Sequence, residues 1–539
     1  MIDKKYNRYE FYDYETTGVN SSFDQVVQFA SISTDADLNV IPNSEANVIV
    51  RPRPDVVPSP MAFLTTNIDI NILKQHGITE FELSRVVQDR FSAHDATAMS
   101  GYNTISFDDE LTRTLMFRNM KSPYDHEWKN KNGRVDVFKL TQLTYAFFPD
   151  LIKFPIVDDK VSLRLEHLSK ANGIAHDNAH DALSDVYATI GIAKIIKDKR
   201  PTLFQHFLNL TDKRNCNELL LDKKPVYLTT SFFDRGFHST SLILPIVTDA
   251  ENANKVHCVD LRYDPTELLS MSPEDIKKYL FTKREDLPEG SPKLPIVSVQ
   301  VNKLPILTPF GGTMSPTISE RFQLDCNKVF EHMHQIQNDA GFASRLLTAM
   351  ISEKKEPSDA FSSIYSGGFI DNNDAYERSK MHYVDPQSES KEYRIEKADV
   401  FSVGMSMKDS IRQSDLLLRA KWNNFYERIL TETEFSRDEF KEWSNYLERR
   451  LVNGCNDEKA LTISQFKIEI KEARLNHALT DSQEEILVAL EQHVAELEDL
   501  LVNLKVAQKT LDQEQVQSSQ PYLQYKQGIN SSNDPQLSR

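Results

Sequence analysis

The sequence predicts a multidomain protein of mixed class, an α/β region followed by a β-rich α+β region and then a helical one. Three observations carry this. Short β-branched runs alternate with amphipathic helical patterns over the first ~200 residues, the mark of a layered α/β sheet. From about residue 202 closely spaced strands take over, and after about residue 355 helical periodicity dominates. At 539 residues the chain exceeds a single core, and a prior of ~100–200 residues per domain gives about three. The expected divisions are residues 1–200, 201–355 and 356–480, with a terminal segment 481–539.

The first element is the strand through Phe11-Tyr12-Asp13-Tyr14-Glu15-Thr16, closed by Thr17-Gly18. Side chains alternate along a strand, so Asp13 and Glu15 share a face. Two like charges there either bind a hard divalent cation such as Mg²⁺ or sit on a solvated edge strand. Val26–Ile32 and Ala46–Val50 complete a three-stranded meander, which Arg51-Pro52-Arg53-Pro54 ends. Helical patterns around Asn71–Gln75 and Phe81–Phe91 precede an apolar strand, Thr97–Asn103. Ser106 and Asp109 have the spacing of a helix-capping pair, which gives Asp109 a structural job and leaves Asp108 the better ligand candidate. Helices follow over Val135–Phe147 and from Arg164; within the latter His167 reads as a structural histidine among apolar neighbours. The run Asn178–Thr189 leads into an amphipathic helix ending in Lys197-Asp198-Lys199-Arg200, and Pro201 marks a boundary. His180 and Asp185 would lie about 140° apart on a regular helix, so they converge only if His180 precedes the helix.

Four strand patterns follow, at Pro225–Thr229, Thr240–Leu244, Val256–Leu261 and Pro295–Val301, then a helical segment over Asn327–Ser352. In Leu416–Ile429, Arg419, Lys421 and Arg428 mix with Trp422, Phe425 and Tyr426, as in a phosphate- and base-binding surface; Leu418, Trp422, Phe425 and Ile429 also form a core face, the preferred reading. Leu490, Val494, Leu497, Leu501 and Leu504 make a short coiled-coil-like seam, too short to argue a dimer. The Gln-, Ser- and Asn-rich last ~25 residues have the composition of a disordered tail.

A 40% hydrophobic and 27% charged composition is that of a globular chain, and a net charge of −17 excludes a general basic coat while permitting a local basic channel. Cys216, Cys258, Cys326 and Cys455 form no CxxC pattern, so neither zinc nor a disulfide framework is expected. With no apolar leader or membrane-length segment, the expected location is the cytoplasm; the expected state is a monomer.

Set together, Asp13, Glu15, Asp108 and Asp185 with His180 suit phosphodiester hydrolysis, in which two Mg²⁺ ions clamp the phosphate and a histidine takes the proton of the attacking water. The ordered set Asp13-x-Glu15, Gly101-Tyr102-Asn103 with Phe107-Asp108, and His180-Asp181-Ala182 with Asp185 resembles the DEDDh (DnaQ-like) 3′→5′ exonucleases of ribonuclease H-like fold. Longer matches, including Arg164-Leu165-Glu166-His167-Leu168, Lys170–Ile174 and Asp185–Thr189, resemble the bacterial exodeoxyribonuclease I family over about residues 8 to 450. The resemblance implies a DnaQ-like exonuclease domain, an SH3-like β-barrel domain and a helical C-terminal domain gripping single-stranded DNA. It implies release of 5′-mononucleotides from the 3′ end with Mg²⁺, Mn²⁺ being able to substitute, in DNA repair and recombination. Carried over by motif, Asp13, Glu15, Asp108 and Asp185 are metal ligands and His180 the general base. Glu15, Tyr14, Thr16, Asn103 and Arg164 are expected to contact the substrate. A further partner implied by the family is the acidic C-terminus of single-stranded DNA-binding protein. Thr17 and Thr66-Asn67-Ile68 depart from the family beside the nucleotide pocket, and the segment after about 480 looks additional, so its deletion is expected to spare activity. An RNA-preferring DEDDh exonuclease and a non-catalytic DNA-binding scaffold are the alternatives.

Overall fold

The computed structural model describes residues 2–176, 181–351, 357, 359–366, 370–383, 394–402, 410–432, 436–455 and 460–514. The polar stretch Asp385–Lys391 and the Gln/Ser/Asn-rich tail lie outside them, as does His180. No helix among the described residues is long and apolar enough to cross a membrane.

The N-terminal region is built on a five-stranded sheet: β1 (Arg8–Thr16), β2 (Val26–Asp35), β3 (Ala46–Ile49), β4 (Thr97–Gly101) and β5 (Gly133–Asp136). The order is β3-β2-β1-β4-β5; β1–β2–β3 form the expected antiparallel meander, while β4 and β5 run parallel to β1. β5 takes residues that the sequence pattern assigned to the next helix, which begins at Val137. Parallel central strands are covered on both faces, and here the alternation of β1 divides them. Tyr12 and Tyr14 enter one core with Phe29, Phe91, Leu111 and Leu115, whereas Tyr9 and Phe11 enter another with Val186, Ile190 and Ala193 of the helix Ala182–Lys199.

The second region is a five-stranded antiparallel sheet in the order Ile296–Gln300, Lys255–Asp260, Thr240–Thr248, Val226–Thr229, Ile306–Pro309. Its last strand was not expected, because it is four residues long and ends in proline. An edge position is where a strand tolerates that residue. The predicted helix over Asn327–Ser352 is two, Cys326–Asn338 and Phe342–Met350.

The C-terminal region is helical: Ser410–Glu432, Arg437–Asn453, Ile463–Asn476 and Asp481–Glu514. Trp422, Phe425 and Ile429 are core residues; Arg419 pairs with Asp359, Lys421 with Glu439 and Arg428 with Glu396, which bears out the core reading of that helix. The terminal seam is filled from within the chain. Leu490, Val494, Leu497, Leu501 and Leu504 lie in one core with Phe440, Leu447, Phe466 and Ile470, and with Phe63 and Leu73 of the N-terminal region. The leucines of this segment thus close a core that also takes in residues of the N-terminal region.

Candidate active site

Asp13 and Glu15 project from the end of β1 on the face that the helix Ala182–Lys199 covers farther along the strand. That helix starts one turn before Asp185, capped by Asp181, whose carboxylate accepts from the Ser184 amide at 3.2 Å. Its start brings Asp185 against the strand. One carboxylate oxygen each from Asp13, Glu15 and Asp185 lies within 4.8 Å of the others, and all three residues are half-buried.

Asp108 reaches the site from a different connection. β4 ends at Gly101, where a Cβ would stand 2.6 Å from the Tyr12 carbonyl oxygen, so only glycine allows this approach of β4 to β1. The following turn puts Asn103 in the left-handed region (φ 65°) and is fastened by Asp136, which accepts from the amides of Asn103 at 2.9 Å and Ile105 at 3.3 Å. The helix Asp108–Arg118 then begins with Asp108, 4% exposed, whose carboxylate accepts from the Tyr14 amide. Asp136 is thus a supporting residue that no local pattern had pointed to.

Asp109 does have a structural role, but not the expected one. The helix has no side-chain cap; Asp109 instead accepts from Tyr12 Oη at 2.8 Å and pairs with Arg134 at 2.7 Å. Both partners are far away in sequence, so a local capping pattern could not find them.

The electrostatics of the site follow from its crowding of acids. Burial raises the Asp13 carboxyl well above its ordinary range, and the charges of Asp108, Glu15, Asp185 and Asp181 add to it. Glu15 is pushed up to about 8, by burial first and then by Asp185, Asp108 and Asp181. Asp108 is likewise raised well above a normal carboxyl, by burial and by Asp109. Carboxyls that share a confined site cannot all ionise without a countercharge. A divalent cation suits such a donor set: hard oxygens, convergent, and half-open to an approaching group.

Two of the expected substrate contacts, Tyr14 and Thr16, have their side chains engaged within the protein. The Tyr14 ring lies on the opposite face of β1, 4% exposed, with its hydroxyl 3.0 Å from that of Thr112; only its amide serves the site. Thr16 is buried and its hydroxyl donates to the Gly18 carbonyl at 2.7 Å, while Thr17, fully buried, donates to Asp24 at 3.0 Å. The turn uses both hydroxyls internally. Asn103 is exposed, and Arg164, at the start of the helix Leu165–Ala171, has a side chain 75% exposed. His167 is structural as expected, 2.8 Å from Ser162 Oγ. His176 was overlooked: its Nε2 stands 2.5 Å from Asp185 Oδ1.

Comparison with known proteins finds three family models in succession along the chain. The family described as Exonuclease matches residues 11–193, the Exonuclease I SH3-like domain 211–350, and the Exonuclease I C-terminal domain 358–497. The last match runs into the terminal helix, so that helix is not wholly an addition. Exodeoxyribonuclease I of Escherichia coli is 30% identical over 496 residues, covering 90% of this chain and 99% of the relative. That of Haemophilus influenzae is 31% identical, covering 82% and 90%. Among solved structures, exonuclease I from Methylocaldum szegediense superposes with a TM-score of 0.80 at 30% identity, covering 91% of this chain and 99% of that one. Escherichia coli exonuclease I in complex with a dA16 oligonucleotide gives 0.81 at 27% identity, covering 91% and 100%. The chain belongs to the exodeoxyribonuclease I family, within the DnaQ-like exonuclease superfamily.

Proposed function

We propose that this protein is a metal-dependent exonuclease that removes 5′-mononucleotides from the 3′ end of single-stranded DNA. The observation that carries the mechanism is the convergence of Asp13, Glu15 and Asp185 within 4.8 Å, their charged neighbours being further carboxylates. In this reading Asp13, Glu15, Asp108 and Asp185 hold two Mg²⁺ ions, with Mn²⁺ able to replace them. When bound, the cations polarise the attacking water and neutralise the leaving oxygen of an in-line displacement.

The chain's own residues do the rest. Asp108, fixed by the Tyr14 amide, and Asp185, fixed near the start of its helix, keep the anionic wall in place without reorganisation at the moment of reaction. His180, assigned by its place in the motif, takes the proton of the attacking water as general base. Arg164, exposed at a helix start, and Asn103, exposed on the turn before Asp108, are available to the DNA backbone and terminal nucleotide. Glu15, half-buried, faces the site from β1.

DNA is favoured over RNA because the relatives are exodeoxyribonucleases and solved relatives carry DNA oligonucleotides. A complete carboxylate set opposes the non-catalytic scaffold. We further assign the protein to DNA repair and recombination in the cytoplasm, as a monomer, with the acidic C-terminus of single-stranded DNA-binding protein as a partner. The test of the chemistry is nucleotide release from matched single-stranded DNA, duplex DNA and RNA in Mg²⁺. The expected order puts single-stranded DNA first, with Asp185→Ala inactive; equal release from RNA, or activity of Asp185→Ala, would overturn it.

A further inference from the structure

We propose that His176 is a positioning residue that holds Asp185 in the orientation that accepts the cation; this rests on the metal-dependent reading above. The side chain of His176 is only 3% exposed, and it bridges two helices. Its Nε2 is 2.5 Å from Asp185 Oδ1, and its Nδ1 is 2.9 Å from the hydroxyl of Ser169, a fully buried residue of the helix Leu165–Ala171. A carboxylate accepts, so the ring proton of this contact is placed on Nε2, while Nδ1 faces the Ser169 hydroxyl, which also lies 3.2 Å from the Glu166 carbonyl.

The backbone that presents the ring is itself anchored. Asn172 exchanges hydrogen bonds with Lys153, donating to its carbonyl and accepting from its amide. Gly173 takes the left-handed conformation (φ 72°), which turns the chain, and the Ile174 amide donates to the Ser169 carbonyl at 2.9 Å. Ile174 packs against Gly191 of the helix that carries Asp185, where a Cβ would stand 3.0 Å from the isoleucine. The residues on both sides of the contact are therefore held by the same two helices. With Oδ1 committed to the imidazole, Asp185 cannot rotate freely, and its carboxylate presents a fixed edge toward Asp13 and Glu15. Groups that orient a ligand in this way typically change metal affinity by about 10–100-fold when removed.

The test is direct binding of Mn²⁺ to the full-length protein, followed by electron paramagnetic resonance and calorimetry without DNA. The proteins compared are wild type, His176→Phe, His176→Gln and Asp185→Asn. Phenylalanine keeps the ring's bulk and loses the donor, whereas the glutamine amide can reach the carboxylate. The expected result is Mn²⁺ affinity about 10-fold weaker in His176→Phe and within about 3-fold of wild type in His176→Gln, with the metal-free melting temperatures unchanged. Should His176→Phe not fold, Ser169→Ala carries the test, with a loss of a few-fold expected from the freed imidazole. Wild-type affinity in His176→Phe (or in Ser169→Ala, where it stands in) beside lost affinity in Asp185→Asn would overturn the role of His176 alone. Absence of Mn²⁺ binding by the wild type would overturn the metal-dependent reading with it.

Discussion

Glu15 ties the site's charge to the protein's stability, because burial and the carboxylates of Asp185, Asp108 and Asp181 push its own carboxyl up to about 8. An unfolded glutamate titrates near ~4.3. Between those values the folded, metal-free protein holds a proton that the unfolded chain has released, so this group's contribution to stability falls as pH rises across the window. A cation must displace that proton, and its apparent affinity therefore rises over the same range. The melting temperature gained on adding Mg²⁺ is expected to be larger at about pH 8.5 than at about pH 6; a gain independent of pH in calorimetry would contradict the shared charge. Asp109 makes the opposite case. It pairs with Arg134 and accepts from Tyr12, so Asp109→Ala leaves the buried Tyr12 hydroxyl without that acceptor, while Arg134 keeps Glu127 at 3.3 Å and the Asn302 carbonyl. A loss of about 1–3 kcal/mol in denaturant unfolding is expected, whereas Asp109→Asn, which still accepts from Tyr12, should cost less.

At the level of elements, β1 shows what a local pattern can and cannot carry. Period-2 alternation correctly put Asp13 and Glu15 on one face, and the same alternation puts Tyr14 on the other, where its ring is buried. The three strands of the meander, the helix behind Asp185 and the change to a β-rich region were all legible because each rests on periodicity over neighbouring residues. Asp109, Asp136 and His176 were not, since each is defined by partners brought in by the fold: Tyr12 and Arg134, the amides after β4, and Asp185. What the terminal helix Asp481–Glu514 packs against was hidden for a related reason. Its heptad-like seam was legible, but what fills it is not written locally: the seam packs on this chain's own helices. Leu490 is fully buried, so Leu490→Ala should cost about 2–5 kcal/mol. Truncation at 480 should lower the melting temperature sharply or abolish soluble protein, while a truncation after 514 that did the same would contradict this account of the helix.

Across the whole molecule the nuclease domain shares its cores with both other regions. Phe23, Phe63, Phe81 and Phe117 belong to the core of the C-terminal helices, and Tyr9, Phe11 and Val137 to one that includes Val226, Ile243 and Val256 of the second sheet. The first of these joints is also ionic. Arg53 pairs with Asp55 at 2.8 Å and Glu80 at 2.6 Å, Arg118 with Glu80 at 2.6 Å, and Tyr446 of the C-terminal region donates to Asp55 at 2.6 Å, all of them buried. Burial works to raise the Asp55 and Glu80 carboxyls, but the guanidiniums of Arg53 and Arg118 outweigh it and both lie below the usual range. Removing one partner of such a set is costly because the other stays buried. Tyr446→Phe is expected to lose about 1–3 kcal/mol and to lower the unfolding of both regions together; two separate transitions in calorimetry would contradict a shared core. The same rigidity keeps Asp13, Glu15, Asp108 and Asp185 in one place although they are spread over more than 170 residues of sequence. The most direct test of the account is the digestion of a 5′-labelled single-stranded oligonucleotide by wild type and Asp13→Asn, with Mg²⁺ or with chelator, beside a 3′-blocked control. The predicted result is progressive shortening from the free 3′ end by wild type in Mg²⁺ only, reduced at least about 100-fold in Asp13→Asn; shortening in chelator, or by Asp13→Asn at the wild-type rate, would contradict it.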